Sequence, residues 1–91
     1  MDIEETIKKI LVDDLFAEVP AEQIGPEDSL RDVVGLDSLG FMELRVVCEG
    51  AFGVTVSEED FSPEHFASVR ALADLVRSLL ERDRVTEDAH R

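Results

Sequence analysis

Ile3, Ile7, Ile10, Leu11 and Leu15 recur at intervals of three and four residues, with acids and lysines between them. That spacing predicts an amphipathic first helix from Ile3 to Phe16. Pro20 and then Gly25-Pro26 break the pattern and open a long loop. Within the loop, Ile24, Leu30, Val33 and Val34 are spaced like apolar anchors rather than like a strand, and Gly25-Pro26 suits the start of a short helical turn. From Ser38 to Ala51 the chain again reads as helix, and Gly53 is placed to stop it. Val54-Thr55-Val56 alternates as a strand would, but no segment of matching pattern is available to pair with it. Ser62 before Pro63 predicts a short helix over Pro63 to Ala67. Ser68 caps a last helix whose apolar positions are Val69, Leu72, Ala73, Val76, Leu79 and Leu80. Past Arg82 the periodicity stops. The pattern therefore predicts an all-α fold, a small four-helix bundle of three main helices and one short one with a long first loop. The domain covers 1–82, followed by a disordered C-terminal tail over 83–91.

The helix from Ser38 departs from a single stripe. Phe41, Leu44, Val47 and Cys48 share one face, and Leu39, Met42 and Val46 form a second stripe beside it. In a bundle this small, two stripes mean either a mostly buried helix or an apolar patch left for a partner. Glu43 and Glu49 run along the edge of the second stripe, and methionine adapts to varied surfaces. Those two features favour exposure of Leu39, Met42 and Val46.

Composition narrows the function classes. With 91 residues, 44% of them hydrophobic and 34% charged, the chain is a single globular domain near the lower limit for one core. Five Phe supply all of its aromatic bulk. Twenty-two acids against nine bases give a net charge of −13, the wrong sign for holding nucleic-acid phosphates and a suitable one for basic partner surfaces. A single cysteine excludes an internal disulfide. No secretory leader pattern precedes Ile3 and no apolar run reaches membrane-spanning length, so a cytoplasmic location is expected.

The chemistry concentrates at Gly35-Leu36-Asp37-Ser38-Leu39, which sets a hydroxyl at the mouth of a helix with no histidine near it in sequence. Asp-Ser at a helix start is often only a cap. The free N–H groups and positive end of the helix also favour an anion there, and Gly35 and Gly40 leave room for a modifying enzyme. Elsewhere, His65 and His90 lie outside any ligand cluster, and Cys48 falls on the inward stripe. Glu58-Glu59-Asp60 lacks the alternating ligands and central glycine of a calcium loop. No nucleophile is paired with a base in the sequence, so the chain reads as non-enzymatic and metal-free.

The Gly35-to-Leu39 motif, followed by Met42-Glu43-Leu44, Glu49 and Phe52-Gly53-Val54-Thr55-Val56, resembles the acyl carrier proteins over nearly the whole domain. The resemblance implies that Ser38 receives 4′-phosphopantetheine from coenzyme A through a phosphopantetheinyl transferase. A thiol-bound acyl or aminoacyl group would then be presented as a thioester to successive enzymes. It implies a monomer whose partners are an acyl-loading ligase or acyltransferase and a downstream acyltransferase or ketosynthase. It assigns partner recognition to Asp37, Leu39, Met42, Glu43, Val46 and Glu49. Gly40, Arg45 and Gly50 stand where the family commonly has acidic or apolar residues. The aromatic segment from Asp60 to Val69 resembles discrete carriers of actinobacterial polyketide and other natural-product pathways. The alternatives are a carrier of primary fatty-acid synthesis and, outside the family, an unmodified acidic helical adaptor.

Overall fold

The computed structural model describes residues 2–89, with side chains to Arg82. Helix α1 spans Ile3–Asp13, α2 Ser38–Phe52 and α3 Val69–Ala89, with a three-residue 3-10 turn at Ala21–Gln23. No strand occurs among the described residues, and none of the helices there is long and apolar enough to cross a membrane. Where a disordered tail was expected over 83–91, the backbone is described as far as Ala89 and continues α3; residues 90–91 and the side chains past Arg82 lie outside the described ones.

Asp2 caps α1, accepting the Glu5 N–H at 3.3 Å, and Glu4 and Glu5 stand in the first turn, where the helix dipole favours negative charge. Ile7, Ile10 and Leu11 are buried. The helix stops at Asp13 rather than at Phe16. The Ala17 N–H turns back to the Leu11 carbonyl at 2.9 Å and Phe16 takes φ +57°, the left-handed turn that commonly closes a helix. The reversal lets Leu15 and Ala17 pack against the core while Phe16 stays 81% exposed.

The loop that follows is held from inside and from α3. Ile24 and Leu30 are buried as expected. Val33 is exposed instead, and Leu36 takes the third anchoring place. The Leu30 N–H donates to the Ala67 carbonyl at 3.0 Å and the Arg70 N–H to the Pro26 carbonyl at 2.8 Å. These bonds tie the loop to the start of α3.

Gly53 ends α2 in the left-handed region, at φ +67°. Val54 and Val56 then point inward and Thr55 outward, the alternation of a strand without a ladder. The helix expected over Pro63–Ala67 is a single turn. The Phe66 N–H reaches the Ser62 carbonyl at 3.1 Å, but the Ala67 carbonyl is taken by Leu30 and Ser68 at once starts a new cap, accepting the Ala71 N–H at 3.1 Å. Along α3, Val69, Leu72, Ala73, Val76 and Leu79 are buried. Leu75 joins them, whereas Leu80, expected inside, is among the exposed residues. Helix α1 packs against both α3 and α2, and one cluster gathers the buried side chains of all three helices and both loops. The fold is the expected all-α bundle of three main helices.

Candidate functional site

The start of α2 is built by three consecutive residues with different tasks. Leu36 is buried and fixes the chain. Asp37, extended at φ −100° and ψ −175°, is the N-cap, and its Oδ1 accepts the Gly40 N–H at 2.8 Å. Ser38 is therefore the first residue of the helix rather than its cap, and its side chain is exposed. Its hydroxyl has no hydrogen-bond partner among the described residues.

The two flanking glycines have separate reasons. Gly35 takes φ +84° with open space where a Cβ would stand, so the backbone turn requires it and approach from that side is free. At Gly40 a Cβ would lie 3.1 Å from Leu36 Cδ2 and 3.3 Å from Asp37 Oδ1. Glycine there keeps the buried anchor and the capping carboxylate close. A side chain at this position would require Leu36 or Asp37 to give way slightly.

Ser38 opens onto a cleft of about 880 Å³ whose walls include Arg31, Phe41, Met42, Phe61 and Phe66. The aromatic wall is ordered: the Phe61 and Phe66 rings meet edge to face, with centroids 5.0 Å apart at 87°. The fit to a phosphodiester-linked arm rests on the helix start. Asp37 takes the Gly40 amide, and the amides of Ser38 and Leu39 have no intrahelical acceptor, so they are available to an anion on Ser38.

The outer side of α2 carries Leu39, Met42 and Val46 at 73%, 57% and 64% exposure. Leu44 and Cys48 are fully buried, and Phe41 and Val47 pack at the core margin. Burial pushes the Cys48 thiol up to about 12, with the neighbouring Glu49 charge adding to the effect. Glu43 is exposed beside the outer stripe and Asp37 beside Ser38.

Glu49, expected along the same edge, is engaged internally: its Oε2 accepts the Val56 N–H at 2.8 Å. Arg45, one turn earlier, donates from Nη2 to the Val56 carbonyl at 2.6 Å. Arg45 therefore faces the loop after α2 and does not dilute the acidity of the outer stripe. The sequence offered no partner for Val54-Thr55-Val56 because the partner is a pair of helix side chains four residues apart.

Ser62 and His65 do meet, a pairing not visible in the sequence. Ser62 Oγ lies 3.1 Å from His65 Nδ1, but that nitrogen is also 3.0 Å from the Asp60 carbonyl oxygen. A carbonyl only accepts, so Nδ1 carries the proton and cannot take one from Ser62. The pair locks a turn. Asp60 and Glu58 are likewise engaged, Asp60 with Arg82 at 3.3 Å and Glu58 with Arg45 at 3.5 Å.

Comparison with known proteins agrees with this geometry. Residues 5–76 match the family model described as phosphopantetheine attachment site. The acyl carrier protein of Nitratidesulfovibrio vulgaris strain Hildenborough is 42% identical over 60 residues, covering 66% of this chain and 76% of that protein. The acyl carrier protein of Syntrophus aciditrophicus is 37% identical over 83 residues, covering 91% of this chain and 95% of that protein. A further match is a chain in the crystal structure of engineered Bradyrhizobium japonicum glycine:carrier protein ligase complexed with carrier protein from Agrobacterium tumefaciens and ATP. It superposes with a TM-score of 0.75 at 28% identity, covering 84% of this chain and 97% of that one. A chain in the structure of the Bradyrhizobium japonicum ligase complexed with glycylated carrier protein gives 0.65 at 30% identity, covering 81% and 99%. The match across most of the domain, on a helical fold with an exposed serine at a helix start, means that the chain belongs to the acyl carrier proteins, non-catalytic carriers that hold their cargo on a covalently attached 4′-phosphopantetheine.

Proposed function

We propose that Ser38 bears the 4′-phosphopantetheine and that the chain is a monomeric carrier of natural-product biosynthesis in the cytoplasm. The observation that carries the assignment of Ser38 is the division of work at the start of α2. Asp37 makes the cap, which leaves the Ser38 hydroxyl exposed and unengaged at the rim of an apolar cleft. Attachment forms a bond from Ser38 Oγ to the β-phosphorus of coenzyme A. The pyrophosphate link breaks, 3′,5′-ADP leaves and the hydroxyl proton passes to a base of the transferase. The arm then supplies a thiol on which an acyl group is held as a thioester. What this chain contributes is the anchor, a helix end that favours the phosphodiester, and an apolar wall within reach of the arm.

Leu39, Met42 and Val46, with Asp37 and Glu43 beside them, form the surface read by the transferase, by a loading enzyme and by a downstream acyltransferase or ketosynthase. Glu49 contributes to that surface from its margin only. The likeness to carrier chains in complexes with glycine:carrier protein ligases supports loading by a ligase of the acyl- or aminoacyl-activating kind. The aromatic segment from Asp60 to Val69, whose Phe61 and Phe66 form a wall of the cleft, supports natural-product carriage over primary fatty-acid synthesis.

Incubation with coenzyme A and a broad-specificity phosphopantetheinyl transferase tests the anchor by intact-protein mass. One phosphopantetheine mass is expected on the native chain and none on Ser38→Ala. No gain on the native chain, or a gain that persists in Ser38→Ala, overturns the assignment.

A further inference from the structure

Arg45 is the charged residue of α2 that the carrier role leaves without an explanation. Its side chain is 23% exposed and makes three contacts at once. Nη2 donates to the Val56 carbonyl at 2.6 Å, Nη1 approaches Glu58 Oε1 at 3.5 Å, and Cζ lies 5.0 Å over the centroid of the Phe61 ring. One turn on, Glu49 accepts the Val56 N–H. Both polar backbone groups of Val56 are thereby held from α2, and the Val56 side chain is buried. Phe61, with the guanidinium over its ring, also meets Phe66 in an edge-to-face contact. Both rings line the cleft that Ser38 opens onto.

The contacts run without interruption from α2 through Arg45 to Phe61 and the cleft. A planar guanidinium can donate to a carbonyl in its plane while stacking its face on a ring. An ammonium is a point charge and cannot do both from one position, and an alkyl chain leaves the Val56 carbonyl without its donor. The geometry points to Arg45 as a positioning residue that fixes the aromatic wall of the cleft and so sets which tethered acyl groups the protein shelters from water. The inference rests on the reading of Ser38 as the anchor. A cargo long enough to reach Phe61 is affected, and one that ends short of it is not.

The test uses the full chain loaded by a transferase from octanoyl- or acetyl-coenzyme A, followed by hydroxylamine. Hydroxylamine attacks the thioester carbonyl, expels the arm thiol and leaves as the hydroxamate, so its rate reads access to the thioester. Arg45→Met is expected to speed octanoyl cleavage by about fivefold or more and acetyl cleavage by less than about twofold, with Arg45→Lys between wild type and Arg45→Met. Equal acceleration of both cargoes, or of neither, overturns the inference. Failure of the wild-type chain to gain the acyl-phosphopantetheine mass overturns the anchor reading instead, which keeps the two outcomes distinct. Where Arg45→Met does not fold, Phe61→Ala removes the ring and leaves the Arg45–Val56 bond in place. It must show the same selectivity for the longer cargo, and uniform rates overturn the inference there too.

Discussion

The two sides of α2 divide residue types in an unusual way. On the side turned to solvent stand Leu39, Met42 and Val46, each more than half exposed. On the flank turned to the following loop stand Arg45 and Glu49, whose charges are spent inside the molecule on the backbone of Val56. A helix that only stabilised the bundle would put its apolar residues inward and its charges outward. Here an apolar strip at a helix start is left uncovered beside the exposed serine while two charges serve the fold. The difference separates what α2 does for the domain from what it offers to other proteins.

The inner face should be chemically silent and energetically dominant. With Cys48 lifted by burial from 9.0 to about 12, its thiolate at pH 8 is scarcer than that of an ordinary thiol by about a thousandfold. Iodoacetamide should accordingly leave the native protein unlabelled and label it fully in denaturant. The same shift fixes a sign for stability. Between about 9 and about 12 the unfolded chain loses a proton that the folded one keeps. The Cys48 contribution is therefore complete below about 9 and is lost as pH rises towards 12, which alkaline denaturant titrations would detect. Leu44, with no exposure at all, should cost about 2–5 kcal/mol when cut to alanine, read as a fall in the urea midpoint.

The flank should come next. Glu49→Ala removes a charged acceptor from the Val56 N–H at a half-buried site, with an expected loss of about 1–2 kcal/mol. A loss near zero would return Glu49 to the docking edge where the sequence had put it. At the helix start the cap and the anchor separate by the same logic. Asp37→Ala should cost about 0.5–2 kcal/mol because it frees the Gly40 N–H. Ser38→Ala should stay within about 0.5 kcal/mol while abolishing modification. Equal costs at the two positions would make Ser38 part of the cap after all.

Much of this molecule was legible because its helices obey a simple period. The spacing of Ile7, Ile10 and Leu11 placed α1, and Ser68 with Val69, Leu72 and Val76 placed α3. What the pattern missed comes from contacts between segments distant in sequence and from backbone turns. Periodicity marks Arg45 and Glu49 as surface charges, since it carries no information about a loop that returns to face them. It likewise cannot show that the Ala67 carbonyl accepts the Leu30 N–H, a bond that ties the first loop to the start of α3. Leu36, just past the turn at Gly35 with φ +84°, fills the anchoring place expected of Val33, which is exposed. At the candidate site the motif identified the serine, but the geometry was needed to give the capping task to Asp37.

The smallest effect on stability is the most informative about the outer face. Met42→Glu and Val46→Glu add a charge where the present side chain is already 57% or 64% exposed, so each should change stability by no more than about 0.5 kcal/mol. If the strip exists for partners, the same substitutions bury an unpaired carboxylate in the contact. They should then lower kcat/KM for phosphopantetheine transfer by about tenfold, the equivalent of one poorly solvated charge at an interface. Glu43→Gln, on the exposed margin, should act mainly through long-range attraction and therefore weaken transfer more at low salt than at high salt. A large loss of stability in Met42→Glu or Val46→Glu would mean that these residues belong to the core. Unchanged stability with unchanged transfer would leave the apolar strip without a partner among the modifying enzymes and move its purpose to the loading or accepting step.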